Sequence, residues 1–325
     1  MVENNDLVPA VHSFRRDRRD PDIARFKMNF LRENSRRGHQ RQDCNTPVHA
    51  AIFGRKPETL HISAIIREML PIALTIAGSD PGGGAGIQAD LKTFHQLGVY
   101  GVSAVTLITV QNTVMMSRVE VLDISLVRDQ IYAVLDDLPP HAVKTGALGS
   151  EEMLECIAGI DFPCPLVIDP VMVSKHGSDL MNQDARVSFG QKLLPRAALI
   201  TPNLGEASHI AGMEIADIED MKEAARRIAD LGPAAVLVKG GHLPGDPVDI
   251  LLHDGRFTEF RAPRIATEHT HGTGCTYSAA ITAFVARGES IEAAVENAKR
   301  FVTNAIATAP GLGGGAGPLN HWASL

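Results

Sequence analysis

Short apolar runs alternate with segments of helical periodicity through most of the chain. The run at 71–78 is rich in β-branched residues and ends in a glycine, which is typical of a buried strand. A glycine loop and the segment 86–98 follow, where Ile87, Leu91 and Phe94 recur at the spacing of one helix face. This order of strand, loop and helix repeats toward the C-terminus, and it predicts parallel strands joined by helices.

The remaining predicted elements continue the alternation. Further strands are predicted at 101–110, 141–147, 165–172, 197–201 and 234–241. Helices are predicted at 125–138, 150–160, 183–194, 203–212, 217–232, 273–287 and 290–309. An antiparallel hairpin is predicted over 248–264, because Asp254-Gly255 favours a two-residue hairpin turn. The pattern indicates an α/β protein, a three-layer α/β/α arrangement with a mostly parallel central sheet.

The first 69 residues differ from the rest of the chain. Residues 1–69 are rich in arginine with interleaved acidic residues, and they lack sustained apolar periodicity. We therefore predict that residues 1–69 form a basic, disordered extension. An overlong gene model, whose true start is Met69, would also explain this segment. A basic arm that binds RNA or another anionic surface is the alternative, which the interleaved acids disfavour. No change of composition interrupts 70–325, so we predict one domain there.

Composition narrows the class of protein. The net charge is −7 and the isoelectric point is about 6.0, so no overall positive field attracts nucleic acid. No apolar run approaches the roughly 20 residues of a membrane span, and no segment is typical of a secretory signal. The four cysteines form no C-x-x-C pair, so neither a zinc site nor a disulfide framework is indicated. A reducing cytoplasm is the expected location.

The segment EHTHGTGCTYSAA, residues 268–280, joins a glycine turn to the start of a predicted helix. Gly272 and Gly274 remove Cβ atoms where backbone N–H groups would approach an anion, and the helix N-terminus adds positive potential. With Thr273 they form a candidate anion hole for a transferring phosphoryl group. Taken alone, this pattern is as typical of a tight turn before a helix.

A second glycine loop, DPGGGAG at 80–86, follows the first predicted strand. Ligands of open α/β sheets bind beyond the carboxyl ends of the strands, so this loop and the loop after VKGG at 238–241 are expected to face one crevice. A dinucleotide site is disfavoured, because no acidic residue stands at the end of a second strand in the required place. A flexible turn is the alternative interpretation of the loop.

Seven segments carry a family resemblance. They are LTIAGSDPGGGAGIQADLKTF, VQNT, VKTGAL, VIDPVM, LITPNLGEA, VLVKGGH and THGTGCT. In this order they resemble the hydroxymethylpyrimidine and phosphomethylpyrimidine kinases of thiamine biosynthesis, which belong to the ribokinase-like superfamily. The resemblance covers nearly all of 70–325 and none of 1–69. It implies a ribokinase-like fold, ATP and Mg²⁺ as cofactors, and a homodimer, which is common in the family.

The resemblance places the pyrimidine site at the end of the first strand, the start of the first helix and the QNT segment. The implied residues are Gly78, Ala85, Asp90 and Gln111, with Val171 packed against the ring. Asp90 would accept from an exocyclic amine, and Gln111 would donate and accept in the ring plane. For Asp90 the alternative is a solvated acid on a helix, for Gln111 a capping amide at a strand end, and for Val171 a plain core residue.

The resemblance also implies a nucleotide side. Asn203, Lys239 and Gly241 are expected to contact ATP, and Lys239 would pair with a phosphate as a point charge. Asp169 and Glu206, expected at strand–loop junctions, would hold Mg²⁺ largely through water. Taken singly, each charged residue of this set is more typical of a solvated surface.

Cys275 stands where sugar kinases of the superfamily carry an aspartate base, and the resemblance implies that it takes the hydroxyl proton. A helix N-terminus lowers the pKa of a thiol, whereas a bound polyphosphate raises it, so the net protonation state stays open. The alternative is a small residue that packs the helix start. Ala147 departs from the family, which often has a methionine after KTG in contact with the ring.

The expected activity is the ATP-dependent phosphorylation of 4-amino-5-hydroxymethyl-2-methylpyrimidine and then of its monophosphate. A pyridoxal or pyridoxine kinase is the alternative, because Ala147 implies an enlarged pocket. A non-catalytic, ligand-sensing module with the basic arm as its contact surface is a second alternative. The expected partner is therefore a small molecule, with neither nucleic acid nor membrane involved.

Overall fold

The computed structural model describes residues 70–172 and 189–325, so the predicted extension at 1–69 lies outside the described residues. Nine strands lie in the described part: β1 Ile72–Ser79, β2 Tyr100–Gln111, β3 Met116–Val121, β4 Ala142–Thr145, β5 Leu166–Ile168, β6 Leu199–Ile200, β7 Ala235–Lys239, β8 Val248–His253 and β9 Arg256–Arg261. They form one sheet in the order β3-β2-β1-β4-β5-β6-β7-β8-β9. The strands between β2 and β7 in this order are parallel, whereas β3, β8 and β9 pair antiparallel with their neighbours. The predicted mostly parallel sheet is confirmed.

Seven α-helices accompany the sheet over the same residues: α1 Gly86–Gln96, α2 Ile124–Asp137, α3 Glu151–Ala158, α4 Leu204–Ala211, α5 Ile218–Ala229, α6 Thr273–Ala286 and α7 Ile291–Ala307. Each of these was predicted; most have apolar positions that recur with the helical period and begin after a capping side chain, whereas α6 is buried on all sides and has no side-chain cap. The helix predicted at 183–194 falls partly on undescribed residues. Its described end is a π-helical segment, Phe189–Leu193, and a 3-10 turn, Leu194–Arg196.

Two apolar cores cover the two faces of the sheet. Successive strand residues alternate between them, as Ala73 and Leu74 do in β1. One core packs the sheet against α2 to α5, and the other packs it against α1, α6 and α7. The three-layer arrangement predicted from the sequence follows from this division. No described helix has the length and apolar character that crossing a membrane requires.

The two ends of the sheet are antiparallel. The predicted β8–β9 hairpin is present. Its turn residues Asp254 and Gly255 have φ angles of 49° and 70°, and a two-residue type I′ hairpin turn needs positive φ at both positions. The strand β3 was not predicted, because most of its residues are exposed and it lacks a buried alternation. It carries Met116 to the rim of the cavity described below.

Candidate active site

One cavity of about 800 Å³ lies where the carboxyl ends of the parallel strands meet the start of α6. All predicted site residues except Asp90 line it: Gly78, Ala85, Gln111, Asp169, Val171, Asn203, Glu206, Lys239, Gly241, Gly272, Thr273, Gly274 and Cys275. Both predicted glycine loops therefore border the same space. These residues come from six of the seven segments that carry the family resemblance, and the parallel sheet brings them together.

Asp90 lies behind the cavity wall. It has no exposed surface, and its Oδ2 accepts hydrogen bonds from Thr75 Oγ1 at 2.6 Å and from Lys144 Nζ at 2.9 Å. Asp90 thus does not line the ligand-free cavity, and its Oδ1 is buried without a hydrogen-bond partner, so its contact with the pyrimidine stays a prediction. Lys144, which no sequence argument selected, borders the cavity in its place.

The first glycine loop folds around the carboxylate of Asp80. Its Oδ1 accepts from the N–H of Gly82 at 2.8 Å, and its Oδ2 accepts from the N–H groups of Gly84 at 3.0 Å and Ala85 at 2.8 Å. Burial would raise the pKa of Asp80, but these bonds and His271 outweigh it and hold the pKa below its ordinary value. The anion that the N–H groups of this loop bind is therefore a side chain of the protein itself, the Asp80 carboxylate.

His271 joins the two glycine loops. Its Nε2 lies 3.0 Å from Asp80 Oδ2, and both side chains are almost fully buried. The next residue, Gly272, has a φ of 79°, and a Cβ atom there would stand 1.8 Å from the carbonyl oxygen of Gly84. Only glycine fits this close approach without moving one loop. The start of α6 is thereby fixed against the glycine loop that follows β1.

The N-terminus of α6 opens into the cavity without a side-chain cap. The Thr273 N–H donates to the Thr270 carbonyl oxygen at 3.3 Å, so the N–H groups of Gly274 and Cys275 and the positive helix end are the groups that can bind an anionic ligand. Gly274 keeps the neighbouring charges accessible, because a Cβ atom there would stand 3.4 Å from Lys239 Nζ and 3.8 Å from Asp169 Oδ2. The anion hole stays a prediction, and an uncapped helix start beside a lysine is consistent with it.

Lys239 and Asp169 form a nearly buried ion pair at the ends of β7 and β5. Lys239 Nζ donates to Asp169 Oδ1 at 3.1 Å, and Ser278 Oγ donates to Asp169 Oδ2 at 3.1 Å. Burial would raise the pKa of Asp169, but the ammonium groups of Lys239 and Lys144 outweigh it and hold the pKa below its ordinary value. Asp169 is therefore an ionised carboxylate within the cavity wall.

Glu206 lies in the first turn of α4, so its predicted place at a strand–loop junction is corrected. It forms a capping box with Asn203: Asn203 Oδ1 accepts from the Glu206 N–H at 3.0 Å, and Glu206 Oε2 accepts from the Asn203 N–H at 2.8 Å. Burial raises the pKa of Glu206 to about 7, with Lys239 opposing the shift and Asp169 adding to it. The described residues contain no cluster of three His, Cys, Asp or Glu side chains suited to a metal.

Cys275 is the third residue of α6 and is partly buried between the two loops. Burial raises the pKa of its thiol to about 11, the Lys144 ammonium opposes that shift, and Asp169 and Asp90 add to it. The thiol form therefore dominates at neutral pH in the ligand-free protein. Burial is therefore the main cause of the raised thiol pKa in the ligand-free protein.

One end of the cavity is lined by β2 and β3. Gln111 ends β2 at an irregularity in the strand register, opposite Met116 of β3. Ala147, Val171 and Met116 border the same cavity. Met116, from a strand that the sequence did not predict, thus lines the same cavity as Ala147.

The other end is lined by the loop after β7. Arg264 binds three carbonyl oxygens of this loop: Nη1 donates to Gly241 at 3.1 Å, Nε to Gly245 at 2.6 Å and Nη2 to Leu243 at 2.6 Å. One guanidinium thus sets the shape of the loop that carries Gly241. A lone arginine at the end of the predicted hairpin gave no signal of this role in the sequence.

Sheet order, uncapped helix start and ion-paired lysine together place the protein among ribokinase-like phosphotransferases. A family model described as phosphomethylpyrimidine kinase matches residues 80–320. The chain therefore belongs to the phosphomethylpyrimidine kinase family.

Individual proteins agree with this assignment. The hydroxymethylpyrimidine/phosphomethylpyrimidine kinase of Bacillus subtilis is 45% identical over 259 residues, which cover 77% of this chain and 94% of that protein. The pyridoxal kinase of Staphylococcus aureus, solved with AMP-PCP, aligns with a TM-score of 0.73 at 37% identity and covers 78% of this chain and 94% of its own. The phosphomethylpyrimidine kinase of Clostridium difficile aligns with a TM-score of 0.65 at 44% identity and covers 73% and 99%.

Proposed function

We propose that the protein transfers the γ-phosphoryl group of ATP to the hydroxymethyl group of 4-amino-5-hydroxymethyl-2-methylpyrimidine, and then phosphorylates the monophosphate to the diphosphate, in thiamine biosynthesis. One observation carries the proposal. The uncapped start of α6, with Cys275, lies in the same cavity as Gln111 at one end and Lys239 at the other. A hydroxyl acceptor and a phosphate donor can therefore meet at the helix start.

The chain's own groups suit the charge that spreads over a transferring phosphoryl group. The N–H groups of the first turn of α6 and the Lys239 ammonium would bind its oxygens. Gln111 would bind the polar edge of the pyrimidine, and Val171 would pack against the ring. Asn203 and Gly241 border the part of the cavity assigned to the nucleotide.

Asp169 and Glu206 suit Mg²⁺, because they are two carboxylates at one cavity wall and this ion takes few protein ligands besides water and phosphate. When bound, Mg²⁺ would neutralise phosphate charge. Cys275 would take the proton of the hydroxymethyl group in its thiolate form. Cys275 would need little base strength for a reaction with a loose transition state, because positioning and charge stabilisation dominate phosphoryl transfer.

The test is an assay of the purified protein with the hydroxymethylpyrimidine, ATP and Mg²⁺, read out as pyrimidine phosphate esters. Cys275→Ala should lower kcat by at least roughly tenfold with little change in the KM for the pyrimidine, because the base acts only in the transition state. Cys156→Ala, in α3 and outside the cavity, is the matched control. If the wild-type protein forms neither ester, the proposed function is wrong; an unchanged kcat in Cys275→Ala rejects only the role as base.

Pyridoxal is a second candidate substrate, and Ala147 is the observation that favours it. A small side chain borders the ring end of the cavity, and the S. aureus relative named a pyridoxal kinase shares the fold. The same assay with pyridoxal in place of the pyrimidine gives the ratio of the two kcat/KM values, and a ratio in favour of pyridoxal would reverse the assignment. A homodimer and a cytoplasmic location stay predictions.

A further inference from the structure

The glycine-rich segment 311–317 follows α7, and the proposed reaction assigns no role to it. Five of its seven residues are glycine, so its backbone can approach other parts of the chain closely. Two parts of the chain at the cavity contact it: the turn between β2 and β3, and the loop that leads into α6. These two parts lie far apart in the sequence, and the segment contacts both.

At the ring end of the cavity, the segment lies against Thr113. Gly315 N–H donates to Thr113 Oγ1 at 3.3 Å, and a Cβ atom on Gly315 would stand 2.3 Å from the Thr113 carbonyl oxygen. Thr113 belongs to a tight turn that Asn112 closes with both its backbone N–H and its side-chain oxygen. The turn connects Gln111 to Met116, and both of these residues line the cavity. The segment therefore contacts the turn that holds two residues of the ring end.

The same segment contacts the loop before α6 through His269 and His271. Gly317 N–H donates to His269 Nδ1 at 3.2 Å, and His271 N–H donates to the Gly317 carbonyl oxygen at 3.1 Å. A Cβ atom on Gly317 would stand 2.7 Å from His269 Nδ1, and one on Gly311 would stand 3.7 Å from His269 Nε2. The imidazole of His269 thus packs against both ends of the segment. It is not among the described residues that line the cavity, so it can act on a ligand only through other residues.

We propose that the segment 311–317 positions the ring end of the cavity relative to the start of α6, with His269 as the positioning residue that anchors it. The inference rests on the proposed function, which assigns the hydroxyl acceptor to the ring end and the phosphoryl group to the helix start. Phosphoryl transfer needs these two groups close together and in line, and a misplacement of about 1 Å can cost on the order of 100-fold in rate. A segment that contacts both walls fixes the distance between them.

The first test is steady-state kinetics in which the pyrimidine and ATP are varied separately. His269→Leu removes the acceptor of the Gly317 N–H, and it should lower kcat/KM for the pyrimidine about tenfold. The KM for ATP should change less than about twofold, because the segment contacts the ring end and not the loop after β7. His269→Asn puts an amide oxygen near the place of Nδ1, so it should restore most of the loss. His209→Leu, exposed on α4, is the control and should keep the parent kinetics.

Two adjacent glycines give a matched test of the contact with the turn. A Cβ atom on Gly315 collides with the Thr113 backbone, whereas one on Gly314 meets only Val114 Cγ2, at 4.0 Å, and neither glycine has a positive φ. Gly315→Ala should therefore lower kcat/KM for the pyrimidine by about tenfold, and Gly314→Ala should leave it unchanged. Circular dichroism and urea unfolding show which variants fold. Should Gly315→Ala not fold, the two His269 variants decide, because that side chain is only partly buried.

Hydrogen–deuterium exchange separates the positioning role from the proposed function. His269→Leu and Gly315→Ala should speed amide exchange in the peptides 111–117 and 268–275, and Gly314→Ala should speed it in neither.

Parent kinetics in His269→Leu would overturn the positioning role. A rise in the KM for ATP as large as that for the pyrimidine would overturn it too, as would a loss in His269→Asn equal to that in His269→Leu. If the parent forms no pyrimidine ester, the proposed function fails, and exchange alone decides the link: faster exchange in both peptides supports it, and unchanged exchange overturns it.

Discussion

Among single residues, Gly272 is the position where the two glycine loops meet. A left-handed φ and the carbonyl oxygen of Gly84 together exclude a side chain there. A Cβ atom must push the first loop away from α6, and the helix start that faces the cavity moves with it. The fit of the proposed anion hole therefore depends on the absence of one methyl group.

Gly272→Ala should lower kcat at least roughly tenfold and destabilise the fold by about 2–4 kcal/mol, from left-handed strain together with a backbone shift. Gly288→Ala is the matched control, since Gly288 follows the same helix with a φ of 86° and open space around it. That variant should cost only about 1 kcal/mol and leave kcat unchanged. Urea unfolding and steady-state kinetics measure both; equal losses in the two variants would reject the close approach as the cause.

The sequence located this turn and Cys275, but it did not show that Asp90 is fully buried, and it passed over Lys144. Motif position alone predicted Asp90 as a ligand contact, and the charge that neutralises it lies 54 residues away. A single lysine in an apolar strand run looks the same in a sequence whether it is paired or solvated. The role of Arg264 was missed for the same reason, because its partners are backbone carbonyls of a distant loop.

Among the elements, α7 is tied to β8 by a buried ion pair. Lys299 Nζ donates to Asp249 Oδ2 at 2.6 Å, and Asp249 Oδ1 accepts from the Gly240 N–H at 3.0 Å. Both side chains are nearly free of solvent contact. The pair therefore holds a helix, a strand and the loop after β7 in one arrangement.

Lys299→Met should destabilise the fold by about 3–5 kcal/mol, because it leaves the buried Asp249 carboxylate without its cation. Arg118→Met is the control: Arg118 lies 2.7 Å from Glu120, but the two side chains are 69% and 61% exposed, and such a pair contributes under about 1 kcal/mol. Urea denaturation midpoints of both variants give the comparison. Similar losses of stability in the two variants would mean that burial does not determine how much the Lys299–Asp249 pair contributes to stability.

Elements with many buried positions were easier to predict from the sequence than exposed ones. The parallel strands read as continuous apolar runs because both of their faces are covered, and α1 and α7 showed a clear apolar stripe. The edge strand β3 has one paired neighbour and few buried positions, so no pattern marks it. The cavity end that holds Met116 could not be foreseen without it.

At the scale of the whole molecule, the C-terminal tail returns to the beginning of the domain. Gly315 N–H donates to Thr113 Oγ1 at 3.3 Å in the QNT turn, and Gln96 of α1 donates to the carbonyl oxygen of Ala323 at 3.1 Å. His321 is buried against Thr276 of α6, with Nε2 3.1 Å from Oγ1. The tail, for which the sequence suggested no role, thus supports both the ring end of the cavity and α6.

The buried His321 predicts a loss of stability in mild acid. Burial, with the charge of Lys92, lowers its pKa from 6.5 to about 4. Below pH 6.5 the unfolded chain takes up a proton that the folded chain does not, so stability falls between pH 6.5 and 4, by at most roughly 3 kcal/mol. His321→Gln should remove this part of the pH dependence in urea titrations. His209→Gln, exposed on α4, should keep the wild-type slope, and an unchanged slope in both would contradict the prediction.

The link between Asp80 and His271 has a consequence for synthesis. The two residues are 191 positions apart, so at roughly 5–20 residues per second the histidine leaves the ribosome about 10–40 s after its partner. Until then the first loop has no second loop to close against, and the uncapped helix does not exist. Bound nucleotide can stabilise only the finished chain. A nascent chain must therefore stay soluble through its own partial core or through chaperones, and a message truncated before codon 271 yields no half-active kinase.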